Sequence, residues 1–492
     1  LEGQEHMVYL TKKPPGRYGN VLFVLDQLFK SLSLTPGELV LVQAGLVRVA
    51  ARVYPASTGK IKENRFYLGN YDHKSRFPTD CRLCLRLERG QKLFRVGPLI
   101  GIFTYRDEVQ QSNPGLPFGP QSGSFKNLIL TGGRLNALVY VFTPADIDWA
   151  SRTITGKTYV VQRGKGKWEP RNFPLPDIVY DRIPTRTDEG RPEVREAKEK
   201  LQEISYIKYF NPQFLNKWIT YKALVEDKAM VRYVPETILY ENFGSVLAML
   251  NRHGGIFLKP TASSVGKGIM EIRWFDGGYQ CRFRHSQHNV SKVVRGNQAL
   301  QELVQSQVGR RSYLVQQGID LAHYQQRPFD VRALVQKTVD GSWVITGMAA
   351  RVAGPGSITT HVPNGGTAES LAKVIKEVFG QELDEPKGIG EELRKAALLA
   401  PPLIERYLQK NFAELSMDIG IDERGQVWII EANSKPFRFD EKVIRLQSWV
   451  TIINYAKRIA GFGEELFTED APREENESER RRRRRSRRNQ DG

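Results

Sequence analysis

Three side chains in the C-terminal part of this 492-residue chain could act together as hard oxygen donors: Asp418, Glu431 and Asn433. They lie on either side of Asp422-Glu-Arg-Gly425, in a stretch from Glu414 to Asn433 whose alternating residues read as a β-hairpin. A four-residue loop sets Asp418 opposite Ile429, whereas a two-residue loop at Arg424-Gly425 sets it opposite Glu431. Either register puts all three on one face, because side chains in a strand alternate with period two. Diagonal neighbours about 7–8 Å apart are within bridging reach of a cation. Two carboxylates and a carboxamide suit Mg²⁺ that also holds nucleotide phosphates. The bland alternative is a solvated strand face. Against it stands the apolar run Val427-Trp-Ile-Ile430, which implies a buried strand where unpaired carboxylates are costly.

Other stretches could serve the same chemistry. In Gly254 to Ile272 an apolar strand delivers Lys259, a loop of small residues runs from Thr261 to Gly268, and a second strand follows. Small side chains let backbone N–H groups turn toward phosphate oxygens, and the lysine adds a point charge. The spacing is not that of a Walker A loop, and a flexible hairpin turn is the plain alternative. In Arg327 to Arg351 the Asp340-Gly341 pair signals a two-residue hairpin. That register sets Asp330 opposite Arg351 and Arg332 opposite Ala349, all on one face. Two guanidiniums beside a carboxylate could neutralise a transferring phosphoryl group, and a cross-strand salt bridge explains the pattern equally well. The polar segment Ser357 to Thr367 reads as a closing loop or a surface loop. The strand Leu314-Val-Gln-Gln-Gly-Ile-Asp320 could meet an adenine edge through its backbone.

The elements that must position these groups follow from composition and punctuation. At 40% hydrophobic and 26% charged, the chain has apolar material for two or three cores, at about 100–200 residues each. Residues 1–95 read as a small β-rich domain, barrel or sandwich, through Glu38-Leu-Val-Leu-Val-Gln and Leu46-Val-Arg-Val-Ala-Ala-Arg-Val. Residues 96–200 read as a small α/β unit with the buried parallel strands Leu99-Ile-Gly-Ile-Phe and Ala137-Leu-Val-Tyr-Val-Phe, and a third at Leu175 to Arg182. Residues 205–463 alternate helices and hairpins and hold every strong motif. Residues 464–492 carry nine Arg and nine acids, an acidic block and then a basic one, and are expected to be disordered. The net charge of +18 therefore belongs to residues 1–463, where it suits anionic substrates such as nucleotides as well as it suits DNA. Nucleic acid is accordingly not the expected partner.

Three cysteines, Cys81, Cys84 and Cys281, form no disulfide framework and point to a reducing compartment. Cys81-x-x-Cys84 lacks the further ligands that zinc needs, which leaves ordinary cysteines as the simpler reading. No apolar run approaches the ~20 residues of a membrane span, and Leu1 to His6 shows no signal-peptide pattern. A soluble, intracellular protein without membrane association is expected.

Taken in order, these pieces resemble the ATP-grasp superfamily over about residues 205–460. Asp418 and Glu431-x-Asn433 are similar to the metal signature of D-Ala–D-Ala ligases and ribosomal-protein glutamate ligases. The resemblance implies an α+β or α/β multidomain protein, an ATP-grasp fold preceded by a small α/β pre-grasp domain and the N-terminal β-rich domain. It implies that Asp418, Glu431 and Asn433 bind Mg²⁺ and that Lys217 and Lys259 meet the phosphates of ATP. Residues 261–268, including Ser263, Ser264, Gly266, Lys267 and Gly268, would cover those phosphates. Gln316, Gln317 and Ile319 would form the hinge at adenine, with Asp320 on the ribose. Asp330-x-Arg332, Arg351 and Asn364-Gly-Gly are similar to the matching stretch of the glutamate ligases. Gln317 stands where many members have Glu, and Ser416 where D-Ala–D-Ala ligases have Arg. Arg332 or Arg351 would therefore supply the catalytic charge.

The whole chain looks most like the endospore coat-associated (YheC/YheD-like) ATP-grasp proteins. That implies a ligase joining an unidentified carboxylate to an amine or thiol through an acylphosphate. The setting would be the mother-cell cytoplasm or spore coat rather than the exterior, with acidic coat proteins as partners of the arginine tail. The rival expectation is a nucleotide-binding assembly protein without turnover.

Overall fold

The computed structural model describes residues 6–12, 19–57, 63–69, 77–88, 92–106, 113–262, 268–285, 288–354, 366–436, 439 and 441–462. Seven strands close the N-terminal barrel: β1 (His6–Lys12), β2 (Val21–Leu25), β3 (Leu39–Ala44), β4 (Val47–Ala56), β5 (Asn64–Leu68), β6 (Cys81–Glu88) and β7 (Leu93–Gly97). Their spatial order is β1-β5-β2-β4-β3-β7-β6. Closure removes the unpaired edges that short strands would otherwise expose. Alternation sends Val8, Leu22, Val42, Val53, Phe66 and Phe94 inward, all buried. Cys81 and Cys84 sit three residues apart on β6 and so project to opposite faces, which prevents them from chelating one ion. Burial pushes the Cys81 thiol up to about 12.

A second sheet follows. Leu99–Phe103, Leu138–Phe142, Ile178–Asp181 and Lys208–Phe210 run parallel, and every residue of the first is buried, as continuous apolar strands require. Thr153–Gln162 and Lys165–Pro174 form a hairpin on its edge that the sequence reading assigned to no element. Its outer strand is half exposed and carries Lys165, Lys167, Glu169 and Arg171 among few apolar residues, so it lacks an apolar signal.

The third and fourth sheets are antiparallel and face each other across a cleft. The third runs in the order Thr237–Leu239, Tyr313–Gln317, Gly255–Pro260, Met270–Phe275, Gly278–His285, His288–Val294. Helices Phe243–His253 and Asn297–Val308 cover its back through Val246, Leu250, Leu300 and Val304. The fourth runs Thr367–Glu369, Trp343–Val352, Arg327–Lys337, Glu414–Ile421, Val427–Asn433. Helices Leu371–Phe379 and Ile389–Leu408 pack on one face of it, over Val331, Ala333, Met417 and Ile419. Helix Lys442–Ile459 lies on the other face. It crosses Gly347, where an added Cβ would come within 2.5 Å of Ile444. Through Trp449, Ile452 and Ala456 the same helix also reaches the second sheet's strands and helix Ser122–Arg134. Among the described residues no helix is long and apolar enough to cross a membrane.

Candidate active site

Lys259 reaches the cleft because strand Gly255–Pro260 alternates. Ile256 and Leu258 face the helices, so Phe257 and Lys259 face the fourth sheet. The Lys259 ammonium lies 2.5 Å from Gln316 Oε1 and 5.2 Å from the Phe257 ring centre. Burial brings its pKa down from 10.5 to about 8, against the opposing field of Glu431 and with the help of the Lys217 charge. Lys217 opens helix Lys217–Val225. The Asn216 side chain caps that helix by accepting from the Trp218 and Ile219 N–H groups. The Lys217 N–H donates to Thr261 O at 3.1 Å, which ties the helix start to the mouth of the phosphate-loop candidate. Its ammonium sits 2.7 Å from Glu431 Oε1. Lys217, Lys259, Gln316, Thr237, Thr220 and Glu431 line one cleft of about 460 Å³, together with the apolar Val234, Leu314 and Ile429.

The carboxylate face depends on two β-bulges. Asp422 accepts from the Arg424 and Gln426 N–H groups and closes a five-residue loop, neither of the two lengths expected from sequence. A five-residue loop alone would set Ile430 opposite Asp418 and turn Glu431 and Asn433 to the other face. The bulge between the Asp418 and Ile419 pairs restores Asp418 opposite Glu431 and Ser416 opposite Asn433. The hairpin around Asp340-Gly341 repeats the device. Its turn is also wider than the two residues expected, and a register shift between Leu334 and Val335 recovers Asp330 opposite Arg351.

On that face Arg351 forms a two-pronged bond to Asp330, at 2.8 Å and 2.5 Å, and its Nη2 lies 3.1 Å from Asp418 Oδ2. All three residues are buried. Burial pulls the Arg351 pKa down, but the Asp330 and Asp418 charges outweigh it and leave the guanidinium above its ordinary value. Arg332 stands opposite Asp418 in the neighbouring strand, with its guanidinium 5.1 Å from the Phe439 ring centre. Each carboxylate therefore carries a cationic side chain, Glu431 from Lys217 and Asp418 from Arg351. Among the described residues no three His, Cys, Asp or Glu side chains cluster as metal ligands. The third donor here is the Asn433 carboxamide. Two carboxylates and one amide oxygen in adjacent register positions are hard oxygen donors of the type that Mg²⁺ takes.

The remaining expected residues divide. Gln316 points into the cleft, donating to Thr237 Oγ1 at 3.0 Å. Gln317 turns away, its Oε1 accepting from the Glu236 N–H at 3.1 Å. Ile319 and Asp320 lie in the connection from the third sheet to the fourth, and Asp320 pairs with Arg273. Gly268 takes φ +77°, a conformation that favours glycine. Ser263, Ser264, Gly266 and Lys267 lie outside the described residues, as do Ser357 to Asn364 of the second loop and the 464–492 tail.

Sequence reasoning missed three features. Glu271 stands opposite Phe257 on the cleft side of the third sheet, buried and held by Arg273 and Arg282 at 2.6 Å each. The charged alternation Glu271, Arg273 in an apolar strand was its available signal. Thr220 lines the cleft with a buried Oγ1 that has no hydrogen-bond partner among the described residues. Two residues past Asn433, Lys435 is buried against Asp181 at 2.5 Å and Glu189 at 2.7 Å, and Lys198 also meets Asp181 at 2.9 Å. This cluster pins the end of the donor strand to the second sheet, and no local pattern announces it.

Comparison with known proteins adds an independent line. A family model described as YheC/D like ATP-grasp matches residues 206–459. The endospore coat-associated protein YheD of Bacillus subtilis (strain 168) is 31% identical over 395 residues, 79% of this chain and 82% of that one. The endospore coat-associated protein YheC of the same organism is 22% identical over 300 residues, 60% and 80% of the two chains. Among solved structures, D-cycloserine synthetase DcsG aligns with 14% identity over 73% of this chain and 99% of that one, at a TM-score of 0.44.

Proposed function

Because the chain belongs to the YheC/D-like ATP-grasp family, we propose that it is a Mg²⁺·ATP-dependent ligase joining a carboxylate to an amine or thiol through an acylphosphate. The observation that carries this reading is convergence across the cleft. Lys217 touches Glu431 at 2.7 Å, and Lys259, from the opposite sheet, lies within the fields of Glu431 and Asp418. Phosphate-binding cations and metal-type donors come from separate elements and meet at one place. When bound, Mg²⁺·ATP would supply the phosphoryl group and the charge neutralisation for its transfer; Asp418, Glu431 and Asn433 would hold the ion. Lys217 and Lys259 would bind the phosphate oxygens, with Lys259 already stripped of most of its water. Gln316 would orient Lys259. Arg351 would hold Asp418 and Asp330 in fixed positions, and Arg332 would present a guanidinium beside them. Positioning and charge of this kind supply most of the rate in phosphoryl transfer. By the names of the B. subtilis relatives, the setting would be the spore coat, with acidic coat proteins meeting the arginine tail.

One observation favours the rival, a nucleotide-binding assembly protein without turnover: both donor carboxylates are already closed by cationic side chains. A thermal-shift titration with ATP, with and without Mg²⁺, on wild type and Glu431→Gln separates the cases together with phosphate release. Binding to the folded state raises Tm by mass action. A Mg²⁺-dependent rise that Glu431→Gln loses, with phosphate release in the presence of a carboxylate, supports the ligase. A rise without release under any carboxylate supports the rival. No rise at all refutes the site.

A further inference from the structure

The barrel's outer surface carries a row of side chains that the cleft chemistry does not use. The register sets Arg82 of β6 opposite Tyr9 of β1, Tyr9 opposite Arg65 of β5, Arg65 opposite Phe23 of β2, and Phe23 opposite Tyr54 of β4. These residues alternate with Val8, Leu22, Val53 and Phe66, which fill the interior, so the row faces outward. Tyr9, Arg65, Phe23 and Tyr54 are half-buried and Arg82 is exposed. Phe23 lies 6.1 Å from the Tyr54 ring and 5.8 Å, edge-on, from Tyr67. The Arg65 guanidinium lies 5.9 Å from the Tyr9 ring centre, and its buried Nε has no hydrogen-bond partner among the described residues. Arg82 pairs with Glu63 at 3.1 Å. Residues 1–97 hold sixteen Lys and Arg against eight Asp and Glu, which places +8 of the chain's +18 on about one fifth of its length.

We propose that this face binds single-stranded nucleic acid, with bases stacked on Tyr9, Phe23, Tyr54 and Tyr67 and phosphates met by Arg65 and Arg82. Strands about 4.8 Å apart spread Tyr9 to Tyr54 over about 14 Å, a platform for two or three bases. Every base offers a π-face, so such stacking tolerates sequence, and an arginine among the rings adds cation–π and phosphate contacts. A duplex hides its bases and gives the rings nothing to stack on. An acidic polypeptide would satisfy the arginines and leave the rings unused. The expectation against nucleic acid rested on the balanced charge of the tail; the barrel row is independent of that tail and of the ATP-grasp cleft.

The test uses the full-length chain and a fluorescein-labelled oligouridylate about a dozen nucleotides long, followed by anisotropy from about 50 to about 200 mM salt. Purely electrostatic binding by the arginine tail fades over that range. Tyr54→Ala and Phe23→Ala are each expected to weaken binding about 5- to 100-fold at the higher salt. Tyr54→Leu keeps the apolar cover of the barrel and should weaken binding comparably, so a loss of folding in the alanine variants does not spoil the result. Ultraviolet crosslinks should map to peptides containing Tyr9, Phe23, Tyr54 or Tyr67. Wild-type affinity in Tyr54→Leu, crosslinks confined to the arginine run, equal binding of a duplex, or displacement by poly-L-glutamate of matching charge would each overturn the proposal.

Discussion

Replacing Lys259 by methionine should make the protein more stable at neutral pH while abolishing nucleotide binding. The side chain is 8% exposed and its pKa falls from 10.5 to about 8 through burial. That gap places a cost of about 3 kcal/mol on the charged form. The unfolded chain binds the lysine proton more tightly than the folded one, so between about pH 8 and 10.5 wild-type stability rises with pH. Below about 8 the full cost is present. Methionine keeps the length and removes the charge, but strips Gln316 Oε1 of its donor, a loss of about 1.5 kcal/mol. The net gain at pH 7 is then about 1–2 kcal/mol, and it should vanish or reverse near pH 10. Urea denaturation of both proteins at several pH values measures this, and an ATP thermal shift on the same samples reads binding. A variant less stable than wild type at pH 7, or a wild-type stability flat from pH 8 to 10, would refute the claim that Lys259 is held against its own desolvation.

Other changes test the packing around the site. Arg351→Met should cost about 3–5 kcal/mol, since it leaves Asp330 and Asp418 buried without their cation; adding Asp330→Asn should recover part of that in urea melts. Gly347→Ala should destabilise by about 1–3 kcal/mol by pressing on the Cγ and Cδ1 atoms of Ile444, and Ile444→Ala in the same chain, which removes all of them, should relieve that clash. Removing residues 464–492 should leave the ATP-dependent rise in Tm unchanged in a thermal-shift assay, and loss of that rise would place part of the nucleotide site in the tail.

The hairpins show how far local reasoning reaches. Alternation placed Asp418, Glu431 and Asn433 on one face and set Asp330 opposite Arg351, and the structure has both arrangements. The route differs: each turn is wider than expected and a bulge makes up the difference, so the expected pairing is reached through an unexpected path. The bulge in the second strand leaves little trace in the sequence, because its extra residue, Ile430, continues the apolar run Val427-Trp-Ile-Ile430 and so masks the change of alternation. Glu271 was readable in principle from its alternation with Arg273. Gln317 was not, because the Glu236 backbone that takes its side chain lies 81 positions away.

What the sequence determined by itself is therefore periodic and short-ranged. It includes the strand faces, the apolar runs of the parallel strands and the order of the motifs. Which cation closes on which carboxylate was left to the tertiary structure. Lys217 and Glu431 are 214 positions apart, and Lys435 meets Asp181 across 254. The barrel row likewise draws its members from strands that are neighbours in space but not in sequence. The reason is physical. Backbone geometry repeats every two or 3.6 residues wherever the chain runs, whereas the charge and dielectric around a side chain are set by whatever distant segments pack against it.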